Sequence, residues 1–124
     1  MFIRRMKDCP EFVAGDNCML RELLHPDKAP LALRYSFAHA MVTPGQTTWL
    51  HRLTTSEVYY ILSGEGIMHI NEETSRVGPG DVIYIPPHAS QQITNAGASD
   101  LVFLCIVDPA WRTQEEEIIS RREK

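Results

Sequence analysis

Apolar positions along the chain gather in short runs, each closed by proline, glycine or asparagine. Leu31 to Val42 is rich in strand formers and stops at Thr43-Pro44-Gly45, where proline fixes φ and glycine accepts a positive one. Val58 to Leu62 is closed by Ser63-Gly64-Glu65-Gly66, and Ile67 to Ile70 returns as the second strand of that hairpin before Asn71-Glu72-Glu73 turns the chain again. Val77-Gly78-Pro79-Gly80-Asp81 leads into Val82 to Ile85, which halts at Pro86-Pro87. Gln91 to Thr94 and Leu101 to Val107 lie on either side of the turn at Asn95-Ala96-Gly97. Many short strands with no long helical period between them predict an all-β sandwich or closed barrel, and closure removes the unpaired edges such strands would expose.

The two-residue period of a strand assigns faces. His51, Leu53 and Glu57 are all odd-numbered and can share the barrel interior, with Tyr59 and Ile61 continuing that face; Gln91 and Ile93 share a face on an opposing strand. The alternating series Leu33, Tyr35, Phe37, His39, Met41 is assigned to a strand facing the cavity, which leaves Arg34 and Arg52 outward. Two stretches read as helical. One is a turn near Met19 to Leu24. The other is the tail from Thr113 to Glu123, with Thr113 as cap, Glu115 to Glu117 at the N-terminal end of the dipole, and Arg121 and Arg122 at the other.

Composition narrows the class. At 124 residues the chain suffices for one domain, and 44% hydrophobic with 23% charged residues is ordinary for a globular protein. A net charge of −4 leaves no basic patch for phosphate backbones, so nucleic acid is not an expected partner. Three cysteines, Cys9, Cys18 and Cys105, are too few and too loosely spaced for a disulfide framework, and Cys105 sits in an apolar run as a small hydrophobe. Met1 to Lys7 lacks a signal-peptide pattern and no run approaches the roughly 18 apolar residues of a membrane span, so a cytoplasmic protein without membrane contact is expected.

Two spaced motifs carry the chemistry: Gly45-x5-His51-x-Leu53-x3-Glu57-x6-Gly64, and Gly80-x5-Pro86-x-His88-x2-Gln91-x3-Asn95. In order and internal spacing they resemble the two signatures of the cupin superfamily, and the chain is similar to the small single-domain cupins labelled mannose-6-phosphate isomerase-like. The resemblance implies an all-β, double-stranded β-helix (jelly-roll) barrel over residues 31–112, preceded by an N-terminal arm and strand over 1–30 and followed by a short C-terminal helix within 113–124. It also implies a homodimer, with Met1 to Arg5 adding a strand at the interface. Trp111 is expected over the barrel end or against a second subunit.

In metal-binding cupins the first motif supplies two histidines and a glutamate, and the second a third histidine. His51 and Glu57 match; Leu53 and Gln91 stand where the other two histidines are expected, and His88 where the motif has glycine. The resemblance therefore implies a ring of His51, Glu57 and Gln91 around a divalent zinc, manganese, iron or nickel ion, or a hydrogen-bonded cluster of the same residues in a metal-free pocket. Glu57 is the candidate proton acceptor, with Tyr59 beside it, and His39, Leu53, Tyr84 and His88 are candidate pocket-lining residues. The expected partner is a small molecule. The competing readings are a metal-assisted enzyme acting on a sugar or a keto or hydroxy acid, and a non-catalytic binding or sensing module, which Leu53 favours. Oxygen chemistry at iron would need His39 or His88 to replace a missing ligand.

Overall fold

The computed structural model describes residues 1–121. Among these, eleven strands run β1 (Glu11–Val13), β2 (Met19–Leu24), β3 (Ser36–Val42), β4 (Leu50–Leu53), β5 (Ser56–Ser63), β6 (Gly66–Ile70), β7 (Glu73–Val77), β8 (Val82–Ile85), β9 (Ser90–Asn95), β10 (Leu101–Asp108) and β11 (Glu116–Ser120). They form two antiparallel sheets, in the order β1-β2-β3-β10-β5-β8 and β11-β4-β9-β6-β7. The expected all-β barrel is thus present, as two sheets closing on one core. Phe103, Ile61, Ile85, Ile93 and Leu101 fill its centre, with the Tyr59 and Phe103 rings tilted against each other at 4.4 Å.

Three local expectations are corrected. Met19–Leu24 is a strand, because lying between β1 and β3 satisfies its backbone groups along both edges, which outweighs the helical leaning of Leu and Glu. The tail is not a helix over its described part: a 3₁₀ turn at Thr113–Glu115 leads into β11, which pairs with β4. An isolated helix of that length is marginal in water, whereas the edge of β4 offers register partners to Glu116, Glu117, Ile118 and Ser120, with a bulge at Ile119. The remainder of the expected helix, residues 122–124, lies outside the described residues.

The third correction concerns β3, whose inward face is Ser36, Ala38, Ala40 and Val42, with Phe37, His39 and Met41 on the outside. Both faces of β3 are apolar, so alternation alone does not choose between them. Packing chooses, since the interior opposite Tyr59 and Phe103 has room only for small side chains. One glycine is obligatory: Gly64, in the β5–β6 connection, has φ +86°, and a Cβ there would lie 2.5 Å from the Asp100 carbonyl oxygen. No helix among the described residues is long and apolar enough to cross a membrane.

Candidate functional site

The predicted parity of β4 and β5 places its residues as expected: His51, Leu53, Glu57, Tyr59 and Ile61 all point inward and are buried. His51 and Gln91 are direct register partners across β4 and β9, while Glu57 and Tyr59 approach from β5 in the facing sheet. The two motifs therefore meet across the barrel. Gln91 Nε2 donates to Glu57 Oε1 at 2.9 Å, and the Tyr59 hydroxyl donates to Gln91 Oε1 at 3.0 Å. The amide is held from both sides, and it fixes the carboxylate without itself reaching the cavity surface.

The cavity has a volume of about 130 Å³. Its polar wall holds His51 and Glu57, together with two residues from outside both motifs, Asp16 in the β1–β2 connection and Glu116 on β11. The His51 Nδ1–H donates to the Trp49 carbonyl at 2.8 Å, which turns Nε2 toward Asp16, whose Oδ2 lies 3.6 Å away. Asp16 is anchored in turn by the Cys18 amide, which donates to Oδ1 at 3.2 Å. The apolar wall includes Leu53, Tyr59, Phe103 and Trp111, and at the rim Lys28 is tied to Glu22 at 2.6 Å.

Burial dominates the electrostatics. It pushes the Glu57 carboxyl up from 4.5 to about 7; the imidazole of His51 and the Gln91 hydrogen bond pull the other way, while Asp16 and Glu116 add to the rise. Burial likewise raises Glu116, opposed by His51 and a hydrogen bond from Trp111 and reinforced by Asp16. Tyr59, Cys18 and Cys105 are all raised by burial, so their phenol and thiols stay protonated near neutral pH. Glu57 is thereby a carboxyl whose titration is brought up to about 7 inside the cavity.

Three of the expected lining residues lie elsewhere. His39 is half-buried on the outer face of β3. Tyr84 points out of β8, because Ile83 and Ile85 take the inward positions. His88 is exposed in the β8–β9 turn at φ +69°, where its backbone amide donates to the Leu53 carbonyl. None of the three lines the cavity, and Leu53 does. Asp16 and Glu116 were missed because neither belongs to a motif. Asp16 lies in the β1–β2 connection, which no motif marks, and Glu116 falls among the three glutamates read as a helix start. Had the tail been read with a strand's period, Glu116 and Ile118 would have shared a face opposite Glu117, which is the outcome.

The donor set does not fit the expected metal ring. Among the described residues no three of His, Cys, Asp and Glu gather in a metal-holding group. Leu53 has no donor atom, and the Gln91 oxygen is taken by Tyr59 while its NH₂ faces the Glu57 oxygen an ion would need.

Comparison with known proteins agrees with the barrel. The Cupin domain family profile matches residues 38–107. An uncharacterized protein of Methanocaldococcus jannaschii is 38% identical over 109 residues, covering 87% of this chain and 86% of its own. An oxalate-binding protein of Thermotoga maritima is 38% identical over 72 residues, or 57% of this chain and 60% of its own. The crystal structure of a predicted oxalate decarboxylase from Thermotoga maritima superposes with a TM-score of 0.77 at 26% identity, covering 87% of this chain and 99% of that one.

Proposed function

The chain belongs to the cupin family, and from that premise we propose that its barrel binds a small uncharged or cationic organic molecule directly through side chains, without a metal ion. The observation that carries this reading is the sign of the polar wall. Asp16, Glu57 and Glu116 face the cavity against one imidazole, no arginine lines it, and the lysine at its rim is already paired. A dianion such as oxalate, which the Thermotoga relative is named for binding, would meet carboxylates in a poorly solvated space. A hydrogen-bond donor or an ammonium group would instead find acceptors, with Tyr59, Phe103 and Trp111 offering aromatic faces. A cavity of about 150 Å³ takes benzene, so this one suits a ligand of comparable size.

The arrangement also supplies proton chemistry. With Glu57 titrating about 7, both protonation states are populated at neutral pH, and the oxygen not bound by Gln91 is the one to accept or deliver a proton. Tyr59 acts as a positioning residue, since its hydroxyl holds Gln91 and Gln91 holds Glu57. Removal of a proton from a bound ligand by Glu57, and its return, is the enzymatic form of this reading. Binding alone is the sensing form.

A metal-assisted reaction on a sugar or a keto or hydroxy acid is the second reading, favoured by the match of His51 and Glu57 to the metal-binding cupin motif. It requires Gln91 to turn its oxygen away from Tyr59 and His51 to turn Nε2 from Asp16 toward an ion. Titration of the protein with benzylamine, benzyl alcohol and oxalate, followed by Trp111 fluorescence and calorimetry, separates the two. The first two probes should bind, benzylamine should weaken at least tenfold in an Asp16→Asn, Glu57→Gln double variant, and oxalate should give no signal. Tight oxalate binding accompanied by stoichiometric metal would overturn the proposal.

A further inference from the structure

The cavity does not end at its rim. Phe12, Glu22 and Lys28, which line it, also line a second and wider space of about 510 Å³ between residues 3–12 and 22–29. The two spaces therefore adjoin across Phe12 and the Lys28–Glu22 pair. Their walls differ in sign. Inside stand Asp16, Glu57 and Glu116; outside stand Arg4 and Arg5, with Ile3 and Leu23 as apolar neighbours. We propose that the outer space is an oxyanion site, holding the phosphate or carboxylate end of the same molecule whose uncharged or cationic end occupies the cavity. The inference rests on the metal-free binding reading above and names the class of its ligand, an amine or alcohol carrying an anionic group at its far end.

The arginines are unpaired and the arm that carries them is held. Met1 to Arg5 forms no strand; it runs into a 3₁₀ turn at Met6–Asp8, where the Asp8 and Cys9 amides donate to the Arg5 and Met6 carbonyls, each at 3.0 Å. Cys9 is buried, and its carbonyl accepts from Arg21 Nη1 on β2 at 2.6 Å. The Arg4 guanidinium lies 5.1 Å from the centre of the Phe2 ring, and among the described residues neither Arg4 nor Arg5 has a carboxylate partner. The other polar groups of the space are engaged. Lys28 and Glu22 neutralise each other at 2.6 Å. His25 Nε2–H donates to the Trp111 carbonyl at 2.7 Å, and its Nδ1 accepts from the Asp27 amide at 3.0 Å. Asp8 alone adds an unpaired carboxylate, one against two guanidiniums, so the space keeps a positive balance. A guanidinium fork matches the oxygens of phosphate or carboxylate, and Phe12 between the two spaces offers an apolar surface to the linker.

Calorimetry with ω-aminoalkyl phosphates from propyl to octyl, the ω-amino carboxylates of the same lengths and the plain alkylamines tests this. At about 50 mM salt one chain length of phosphate or carboxylate should bind about tenfold tighter than its alkylamine, and the larger gain identifies the anion. At about 500 mM salt that gain should shrink, because exposed guanidiniums are screened. In an Arg4→Ala, Arg5→Ala double variant the anionic probe and its alkylamine should bind alike; if the variant does not fold, the salt dependence in the wild type decides. Equal binding of anionic probe and alkylamine at every length at low salt, or a gain that survives in the folded double variant, overturns the proposal. Phenyl phosphate separates this failure from that of the cavity reading. If it binds the wild type and not the double variant while no alkylamine binds, the oxyanion site stands and the cavity reading falls.

Discussion

Replacing Glu57 by glutamine tests the electrostatics of the cavity through folding stability. The Glu57 carboxyl is 7% exposed and titrates about 7 in the fold against 4.5 unperturbed. The folded state therefore holds a proton that the unfolded state has released between those two values. Unfolding free energy consequently falls as pH rises through that window, by at most about 1.4 kcal/mol per pH unit and by about 3 kcal/mol in total. Glutamine mimics the protonated acid, leaves an oxygen to accept the Gln91 hydrogen bond, and does not titrate. Urea unfolding with linear extrapolation, run from pH 4 to pH 8.5 on both proteins, should give curves that nearly coincide at pH 4. They should diverge steadily above it, with Glu57→Gln the more stable by about 3 kcal/mol at pH 8. Glu116 is also raised, and because it adds to the rise of Glu57 the two titrations are coupled; the same comparison made in a Glu116→Gln background separates the Glu57 contribution. Parallel curves, or a variant less stable than wild type at pH 8, would refute the claim that burial of an ionised Glu57 is what the fold tolerates at neutral pH.

Other expectations follow from single contacts. Tyr59→Phe removes the donor to the Gln91 oxygen and should cost about 1–3 kcal/mol of stability, together with a shift in the pH dependence of ligand binding that a purely structural role would not produce. Gly64→Ala places a methyl group against the Asp100 carbonyl in a left-handed conformation and should lower stability by roughly 1–3 kcal/mol or more, read from the urea midpoint. Leu53→His adds an imidazole to the cavity wall beside His51 and Glu57. Elemental analysis after dialysis against zinc should then find near-stoichiometric metal in the variant and much less in the wild type; equal loading of both would contradict the donor-set argument.

Much of this architecture was legible because strand punctuation and two-residue alternation are local signals. The Gly45 and Gly80 motifs locate the barrel, and odd-numbered parity puts His51, Leu53, Glu57 and Tyr59 on one inward face. The misses share a cause. In β3 both faces are apolar, and only the bulk of Tyr59 and Phe103 decides which one turns in. Tyr84 and His39 follow from the same ambiguity, since the outward faces of β8 and β3 carry Val82, Tyr84, Phe37 and Met41, residue types that a core also uses. Asp16 and Glu116 reach the cavity through pairings of β2 with β3 and β11 with β4, which bring together positions far apart in sequence; only Glu116 has a local trace, the alternation of its strand. The tail's three consecutive glutamates have the charge of a helix start, while the alternation from Glu116 to Ser120 is that of a strand.

The residues that could be found in advance were therefore those of the motifs, and the ones that set the sign of the cavity were not. That distinction matters for function. His51, Glu57 and Gln91 alone left an ion and a metal-free hydrogen-bonded cluster both open; Asp16 and Glu116 join His51 and Glu57 in an acceptor-rich cavity wall, and the Gln91 amide behind it is held from both sides.

The most direct test is calorimetric titration of benzylamine into chelator-treated protein, repeated after addition of zinc, manganese, iron or nickel. Direct binding predicts the same affinity and stoichiometry in every case, with proton release near pH 7 as the ammonium group lowers the Glu57 titration. Binding that appears only when one of the metals is present would contradict it.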